Sequence, residues 1–174
     1  MLQNLQDSFY VNFIKENRWQ YLTDGLKVTL IVTFFAVIVG IVFGTLIAII
    51  RSTHDKTGKL TILDILARIY ITVIRGTPVV VQLMIIYFVI FASSDIDKTV
   101  VAVLAFGMNS SAYVAEIVRS GIMSVDSGQF EAGRSLGFNY IQTMRYIILP
   151  QALKNILPAL GNEFIVLLKE TSVS

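Results

Sequence analysis

DSGQFEAGRSLGFNYIQTMRYIILP, residues 126–150, is amphipathic and broken by glycine, and it lies between hydrophobic runs long enough to be membrane spans. Gly128 and Gly137 bracket a helix-forming block at 129–136. Asn139 opens a second block with Gln142 three residues on, close to a capping box. Gly137 suits the left-handed position that follows a helix end. The stretch therefore reads as two short helices joined at Gly137, outside the bilayer, carrying Glu131, Arg134 and Arg145. Such a bend is either a docking surface for another protein or a helical connection.

The composition sets the environment. Of 174 residues, 55% are hydrophobic and 15% charged, against about a quarter charged in soluble domains. A mean hydropathy of +0.70 describes an integral membrane protein in contact with a lipid bilayer. A net charge of +2 gives no basic field for nucleic acid. Without cysteine, disulfides and thiolate metal sites are excluded. One histidine, His54, makes no multi-histidine metal site; it reads as a solvated residue in a polar loop.

The segment 1–26 mixes charges with Phe9, Tyr10, Phe13, Trp19 and Tyr21 and lacks the pattern of a cleaved signal peptide. It reads equally as an interfacial aromatic segment and as a packed helix cap. Residues 28–50 are 23 in a row without a charge, enough to cross the hydrocarbon core, which takes about 20. Gly40 and Gly44 in this run form a small-x-x-x-small pair, facing either a neighbouring helix or lipid. Residues 51–59, RSTHDKTGK, read as a polar break. An amphipathic approach with Asp64 and Arg68 four apart leads into a second span at about 69–92, kinked at Arg75-Gly76-Thr77-Pro78 because proline removes a backbone hydrogen bond. Residues 99–118 form a third span. A fourth runs from about 155 to 170, with Pro158, Gly161 and Asn162 inside it.

Charge asymmetry orients these spans. Segment 51–75 holds five Lys/Arg and 119–154 holds four, whereas 93–98 holds only Lys98. The positive-inside rule places 51–75 and 126–150 in the cytoplasm, with the amino terminus and 93–98 outside.

No catalytic constellation is present. The sequence has no Gly-rich loop ending in Gly-Lys-Ser/Thr for nucleotide phosphates, no nucleophile–histidine pair and no clustered metal ligands. The polar candidates lie at membrane depth. Glu163 and Glu170 are seven apart, on one helix face, and a carboxylate in a membrane normally faces a cavity or partner. They either line a path that favours a cationic or zwitterionic molecule, or Glu170 pairs with Lys169 or another base. Asn109, Ser110 and Tyr113 form a second polar group, touching ligand or bonding neighbouring helices. Glu116 and Arg119 read as an interfacial ion pair on one helix.

Glu131-Ala132-Gly133, three residues, Gly137, then Ile148-Leu149-Pro150 resembles the EAA loop of ABC-importer permeases, with Gly133 where Ala is commoner. VIRGTPVVVQLMIIYF at 73–88 is similar to the FRGTPLLVQL stretch of the family's polar amino-acid branch. NSSAYVAEIVRSGIMSVDSGQFEAGRSLG, from Asn109 onward, resembles that branch over about thirty consecutive residues. The resemblance runs from Leu26 to the end of the chain.

It implies an all-α, polytopic transmembrane bundle over 1–174 with a cytoplasmic coupling-helix pair, acting as the permease subunit of an ATP-driven importer for polar amino acids. In the family one more spanning helix follows L-K-E-T-S; set against that pattern, this sequence is either truncated or a subunit that works with four spans. Thr77 and Gln82 would lie near the solute path. Gln129, Glu131, Ala132, Gly133, Gly137 and Pro150 would engage the ATPase. The implied partners are a second permease subunit, two ATPase subunits carrying ATP and Mg, an external solute-binding protein and the amino acid itself, in a bacterial plasma membrane. This chain would carry no cofactor and be no enzyme. A permease for another small solute, and a truncated membrane protein that does not transport, are the alternatives.

Overall fold

The computed structural model describes residues 10–173, whose regular elements are all helices joined by short turns; Phe9 and the other residues of 1–9, and Ser174, lie outside the described residues. Helix α1 is Trp19–Thr57, α2 Thr61–Gly76, and α3 Val79–Ile85, which continues as a wide π turn through Ile86–Ile90. The longest remaining elements are α4, Lys98–Met123, and α7, Leu149–Val173. Between them lie α5, Gly128–Ser135, and α6, Tyr140–Thr143, with a π turn at Met144–Ile148 leading into α7.

The polar break expected at 51–59 does not occur. Helix α1 continues through it for 39 residues, about 58 Å at 1.5 Å per residue, and so outruns a hydrocarbon core of about 30 Å. It ends only at Gly58, in the left-handed region at φ 67°, whose N–H donates to His54 O at 2.8 Å. Charged residues did not stop this helix because Arg51 and Asp55 find partners on α2 and α4. His54 is accordingly not solvated: its side chain is 24% exposed, with Nδ1 3.4 Å from the Asp64 carboxylate.

Helices α1 and α4 form the centre of the bundle. Ala36, Gly40, Gly44 and Ala48, four apart along α1, are all buried. A Cβ on Gly40 would stand 2.7 Å from Ser110 Oγ, and one on Gly44 2.7 Å from the backbone oxygen of Ser111. The glycine pair therefore faces α4, not lipid. Small residues let two backbones approach where lipid supplies no hydrophobic drive between helices. The opposite face of α1, with Phe34, Val42, Phe43 and Leu46, is exposed.

The expected second span is two helices rather than one kinked helix: Thr61–Gly76 and Val79–Ile90 meet at 107°. Proline's missing donor alone would kink a helix; here Thr77 and Pro78 are both extended in ψ, at 137°, which turns the chain fully. By length and composition Trp19–Thr57 and Lys98–Met123 can each cross a membrane, and the bent pair makes a third if it is one span. The expected span at 155–170 lies within α7, which carries Lys154, Glu163, Lys169 and Glu170 and is not in that set.

Near the 126–150 stretch, Val118 and Ile122 of α4 pack with Ile148 of the π turn and Ala152 and Ile156 of α7 against Ala48 of α1. At the other end, Asp97 caps α4 by accepting the Thr99 N–H at 2.7 Å, and this hydrogen bonding holds its carboxyl below the usual carboxylate range.

Two outcomes follow. Gly44→Ala lowers the thermal midpoint of the detergent-solubilised protein by an amount matching about 1–3 kcal/mol of overpacking, whereas Gly25→Ala, which meets nothing within 4 Å, does not. Asp97 has a lowered folded pKa, so its contribution is present above about pH 4, the ordinary carboxylate value, and is lost as pH falls through the lower folded value. The midpoint difference between native protein and Asp97→Ala therefore shrinks on acidification over that window.

Candidate functional site

Three polar assemblies sit along the α4 helix. The first surrounds the break between α2 and α3. Pro78 has no N–H for the Ile74 carbonyl four residues back. The Gln82 side chain supplies the missing donor: its Nε2 donates to Ile74 O at 2.6 Å and to Thr77 O at 2.8 Å. Its Oε1 accepts from Asn109 Nδ2 of α4 at 3.2 Å. The Thr77 hydroxyl donates to Val73 O. Gln82 and Asn109 are both buried, so these groups hold the broken helix to α4 and spend their hydrogen bonds doing so. Asn109 thus bonds a neighbouring helix, in keeping with one of the two readings open for it.

The second assembly joins α7 to the seam. Ser110 Oγ donates to Glu163 Oε1 at 2.9 Å. One and two turns further along α7, Leu167 and Thr171 are buried, and Thr171 shares a 2.7 Å hydroxyl contact with Thr33 of α1. Glu163 and Glu170 thus lie on the face of α7 that looks into the bundle. Neither forms an ion pair among the described residues, so Glu170 is not held by Lys169. Tyr113 lies under a different group: the Arg75 guanidinium sits 5.1 Å above its ring. The six expected path residues therefore fall into separate clusters, Thr77–Gln82–Asn109, Glu163 with Ser110, and Tyr113 with Arg75, while Glu170 stands two turns from Glu163.

The third assembly is an ion cluster at the end of α1, which the sequence did not reveal. Arg51 pairs with Glu116 of α4 and lies 3.7 Å from Asp64 of α2. Asp64, only 3% exposed in its side chain, also receives Arg68 Nε at 2.6 Å. Asp55 joins Arg68 at 3.5 Å and Arg119 at 3.2 Å. The expected Glu116–Arg119 pair exists at 3.7 Å, but the main partner of Glu116 is on another helix. The sequence traces of this cluster were the i, i+4 spacing of Asp64 and Arg68 and the i, i+3 spacing of Glu116 and Arg119; Arg51 and Asp55 join them because α1 stays helical past the apolar run.

The 126–150 bend adjoins this cluster. Asn139 and Gln142 make a full capping box. Gly137 is left-handed at φ 78°, and Phe138 N–H reaches Gly133 O at 3.0 Å while Gly137 N–H reaches Arg134 O at 2.9 Å, the two bonds of a Schellman motif. A Cβ at Gly133 would stand 2.6 Å from the Thr143 side chain, so glycine in place of the commoner alanine lets α5 seat on α6. Phe130 stacks on Tyr140 at 6.4 Å, and Lys56 of α1 lies 4.6 Å over the Phe130 ring. Burial raises the Tyr140 phenol above its usual range, opposed by a hydrogen bond with Thr53 of α1. Gln129 accepts from Gln151 at 3.2 Å. Glu131, Ala132, Gly137 and Pro150 are exposed, as are the apolar Leu136, Ile141 and Tyr146.

The family model described as the binding-protein-dependent transport system inner membrane component matches residues 40–174. The chain belongs to this family. It is 41% identical over 155 residues to the glutamine transport system permease protein GlnP of Escherichia coli, covering 87% of this chain and 68% of that protein. It is 39% identical over 155 residues to the arginine transport system permease protein ArtQ of Bacillus subtilis, covering 88% and 68%. The crystal structure of an amino acid ABC transporter with histidines matches with a TM-score of 0.79 at 46% identity, over 92% of this chain and 74% of that one. The chain is thus a membrane-spanning permease subunit with a type I importer fold and not an enzyme.

Replacing Gln82 with Leu strands the Ile74 carbonyl and the Asn109 amide. The expected cost is about 1–3 kcal/mol per buried group left unsatisfied, read as a lower midpoint in denaturant unfolding. An unchanged midpoint would return Gln82 to the solute path.

Proposed function

We propose that this chain is the permease subunit of an ATP-driven importer for polar amino acids. The observation that carries the reading is the bend at 126–150. It is capped at both of its inner ends, rooted on α1 and α4 through Phe130, Tyr140 and Ile148, and it leaves Leu136, Ile141 and Tyr146 bare. Three exposed apolar side chains on one short, otherwise polar loop support a docking role for it in this reading. Its occupant in this reading is an ATPase subunit on the cytoplasmic side, where the Lys/Arg excess places the loop.

The full assembly has a second permease subunit, two ATPase subunits that hold ATP and Mg, and an external binding protein that delivers solute. Closure of the ATPases pushes on the bend, and the helices rock about the solute path. Glutamine and arginine permeases at about 40% identity support a polar amino acid as the solute. Glu163 and Glu170 face inward on α7 and favour a cationic or zwitterionic molecule.

Two variants test this in vesicles containing the whole transporter. Gly137→Val, at a φ that only glycine adopts freely, abolishes solute accumulation and ATPase co-purification; normal accumulation with normal association would overturn the docking reading. Glu163→Gln weakens uptake of L-arginine more than of L-glutamine. Equal loss for both removes the selectivity role of Glu163 and leaves the transport reading standing.

A further inference from the structure

The ion cluster at the end of α1 borders a recess that holds more cations than the cluster neutralises. Arg51, Arg68 and Arg119 are paired with Asp64, Glu116 and Asp55. Arg75 lies two turns beyond Arg68 on the same face of α2. It has no carboxylate partner among the described residues and contacts the Tyr113 ring, 5.1 Å away, instead. Four guanidiniums against three carboxylates leave one positive charge. A charge at membrane depth faces a partner or a cavity, and this one faces a cavity. About 340 Å³ opens between α1, α2 and α4, lined by Arg51, Arg68, Ile71, Thr72, Arg75 and Glu116.

The recess sits at the level of one membrane surface. Helix α4 opens at Lys98, and Glu116 is eighteen residues further on. That is about 27 Å at 1.5 Å per residue, close to the roughly 30 Å of a hydrocarbon core. Glu116 therefore reaches the interface opposite Lys98, on the side that carries the Lys/Arg excess. Arg68 is half-exposed there, and Thr72 and Arg75 are exposed. Arg51 is buried to nine-tenths; it pairs with Glu116, and its Nε has no hydrogen bond. On the adjoining stripe of α2, Ile65, Ile69 and Val73 are exposed. A cationic recess at headgroup level thus opens beside an apolar helix surface.

These features select a ligand with a single negative charge and hydrocarbon next to it. Guanidinium forks match the oxygens of a phosphate, and Thr72 adds a hydroxyl. Basic recesses between membrane helices on the cytoplasmic side suit anionic lipid headgroups. We propose that this recess binds the headgroup phosphate of an anionic phospholipid of the phosphatidylglycerol class. Arg75 and Arg68 hold the phosphate, and the acyl chains run along Ile65, Ile69 and Val73. One phosphodiester charge balances the one cation left over. A free phosphate would share the charge but leave the apolar stripe uncovered. The bound lipid ties α2 to α1 and α4 from the bilayer side, whichever solute is carried.

The test uses the full chain in neutral detergent, titrated with short-chain phosphatidylglycerol and, separately, with short-chain phosphatidylcholine, whose choline cancels the charge. The native chain binds phosphatidylglycerol about tenfold more tightly, the scale of a charged hydrogen bond, and added salt narrows the difference. Arg75→Gln lowers phosphatidylglycerol affinity to that of phosphatidylcholine and leaves phosphatidylcholine unchanged. Arg75→Lys keeps the charge without the fork, recovers part of the preference, and guards against a folding defect in Arg75→Gln. Lys154→Gln, which removes an exposed cation of α7, keeps the full preference. The site is overturned by a native chain without preference, by an undiminished preference in Arg75→Gln, or by the same loss in Lys154→Gln. Equal loss for both lipids in both Arg75 variants also overturns it. Inorganic phosphate that displaces phosphatidylglycerol at matched concentration rules out the lipid as occupant. Displacement by L-glutamine or L-arginine gives the recess to the solute and overturns the proposal as well.

Discussion

The seam between α1 and α4 is the contact from which the rest of the geometry follows. In lipid, helices gain little by burying leucine against leucine, and close association rests on packing and polar contacts. Gly40 and Gly44 bring the α1 backbone to within touching distance of Ser110 and Ser111. Those two serines then face outward from the seam in opposite senses. Ser110 meets Glu163 on α7, and Ser111 meets the Tyr70 hydroxyl on α2 at 2.6 Å. A wider seam would move both hydroxyls, and with them the helices that they hold. The small side chains on α1 are thus as much a part of the candidate site as the acids they never touch.

The second constraint is the backbone accounting at the α2–α3 break. In a membrane every carbonyl freed by a proline needs a donor from the protein or from water. Gln82 provides it for Ile74, and Asn109 fixes Gln82. That closed set of bonds lets α2 stop abruptly at Gly76, with Arg75 on its last turn. At the lower end of α2, the buried Asp64 fixes the opposite terminus against α1. Removing one member of a buried ion pair leaves an uncompensated charge that costs several kcal/mol, so the two ends of α2 are held by different chemistry, amide bonds above and ion pairs below.

Much of this was legible in the residues. The uncharged run at 28–50, the third span and the capped pair at 129–136 and 139–142 depend on local rules, namely length, hydropathy and the spacing of Asn139, Gln142 and Gly137; α4, α5 and α6 form close to where those rules place them, and α1 contains the whole 28–50 run but extends beyond both of its ends. What was not legible depends on contacts between distant segments. Arg51, His54 and Asp55 look like a loop because charges ordinarily leave a helix for water; they stay helical because Asp64, Arg68, Glu116 and Arg119, ten to sixty residues away in the chain, neutralise them. Pro78 announces a bend but not its size, which is fixed by the extended backbone at both Thr77 and Pro78. Gln82 resembled a solute ligand because the sequence cannot tell which polar side chain is already satisfied. The same limit applies to Arg75, since nothing in the chain order says which neighbouring arginines are already paired.

The placement of the bend relative to the acids has a mechanical consequence. Ile148, fully buried, is the last residue before α7 and packs on Ala48, Val118 and Ile122. Glu163 lies fifteen residues further on, about 22 Å along the helix axis at 1.5 Å per residue. Pro158 sits between them and deprives Lys154 of its hydrogen-bond donor, so α7 is stiff near the bend and weakest one turn before Glu163. A push at the bend would travel up the stiff lower part through its packing against α4 and be released as tilt at the proline, where Ser110 holds the carboxylate by one hydrogen bond. Meanwhile the same push reaches α1 through Lys56 and Phe130, and α1 is tied to Asp64 on α2, whose far end carries Arg75. The bend is thus joined by packed side chains to the α7 helix that carries Glu163 and, through α1 and Asp64, to α2.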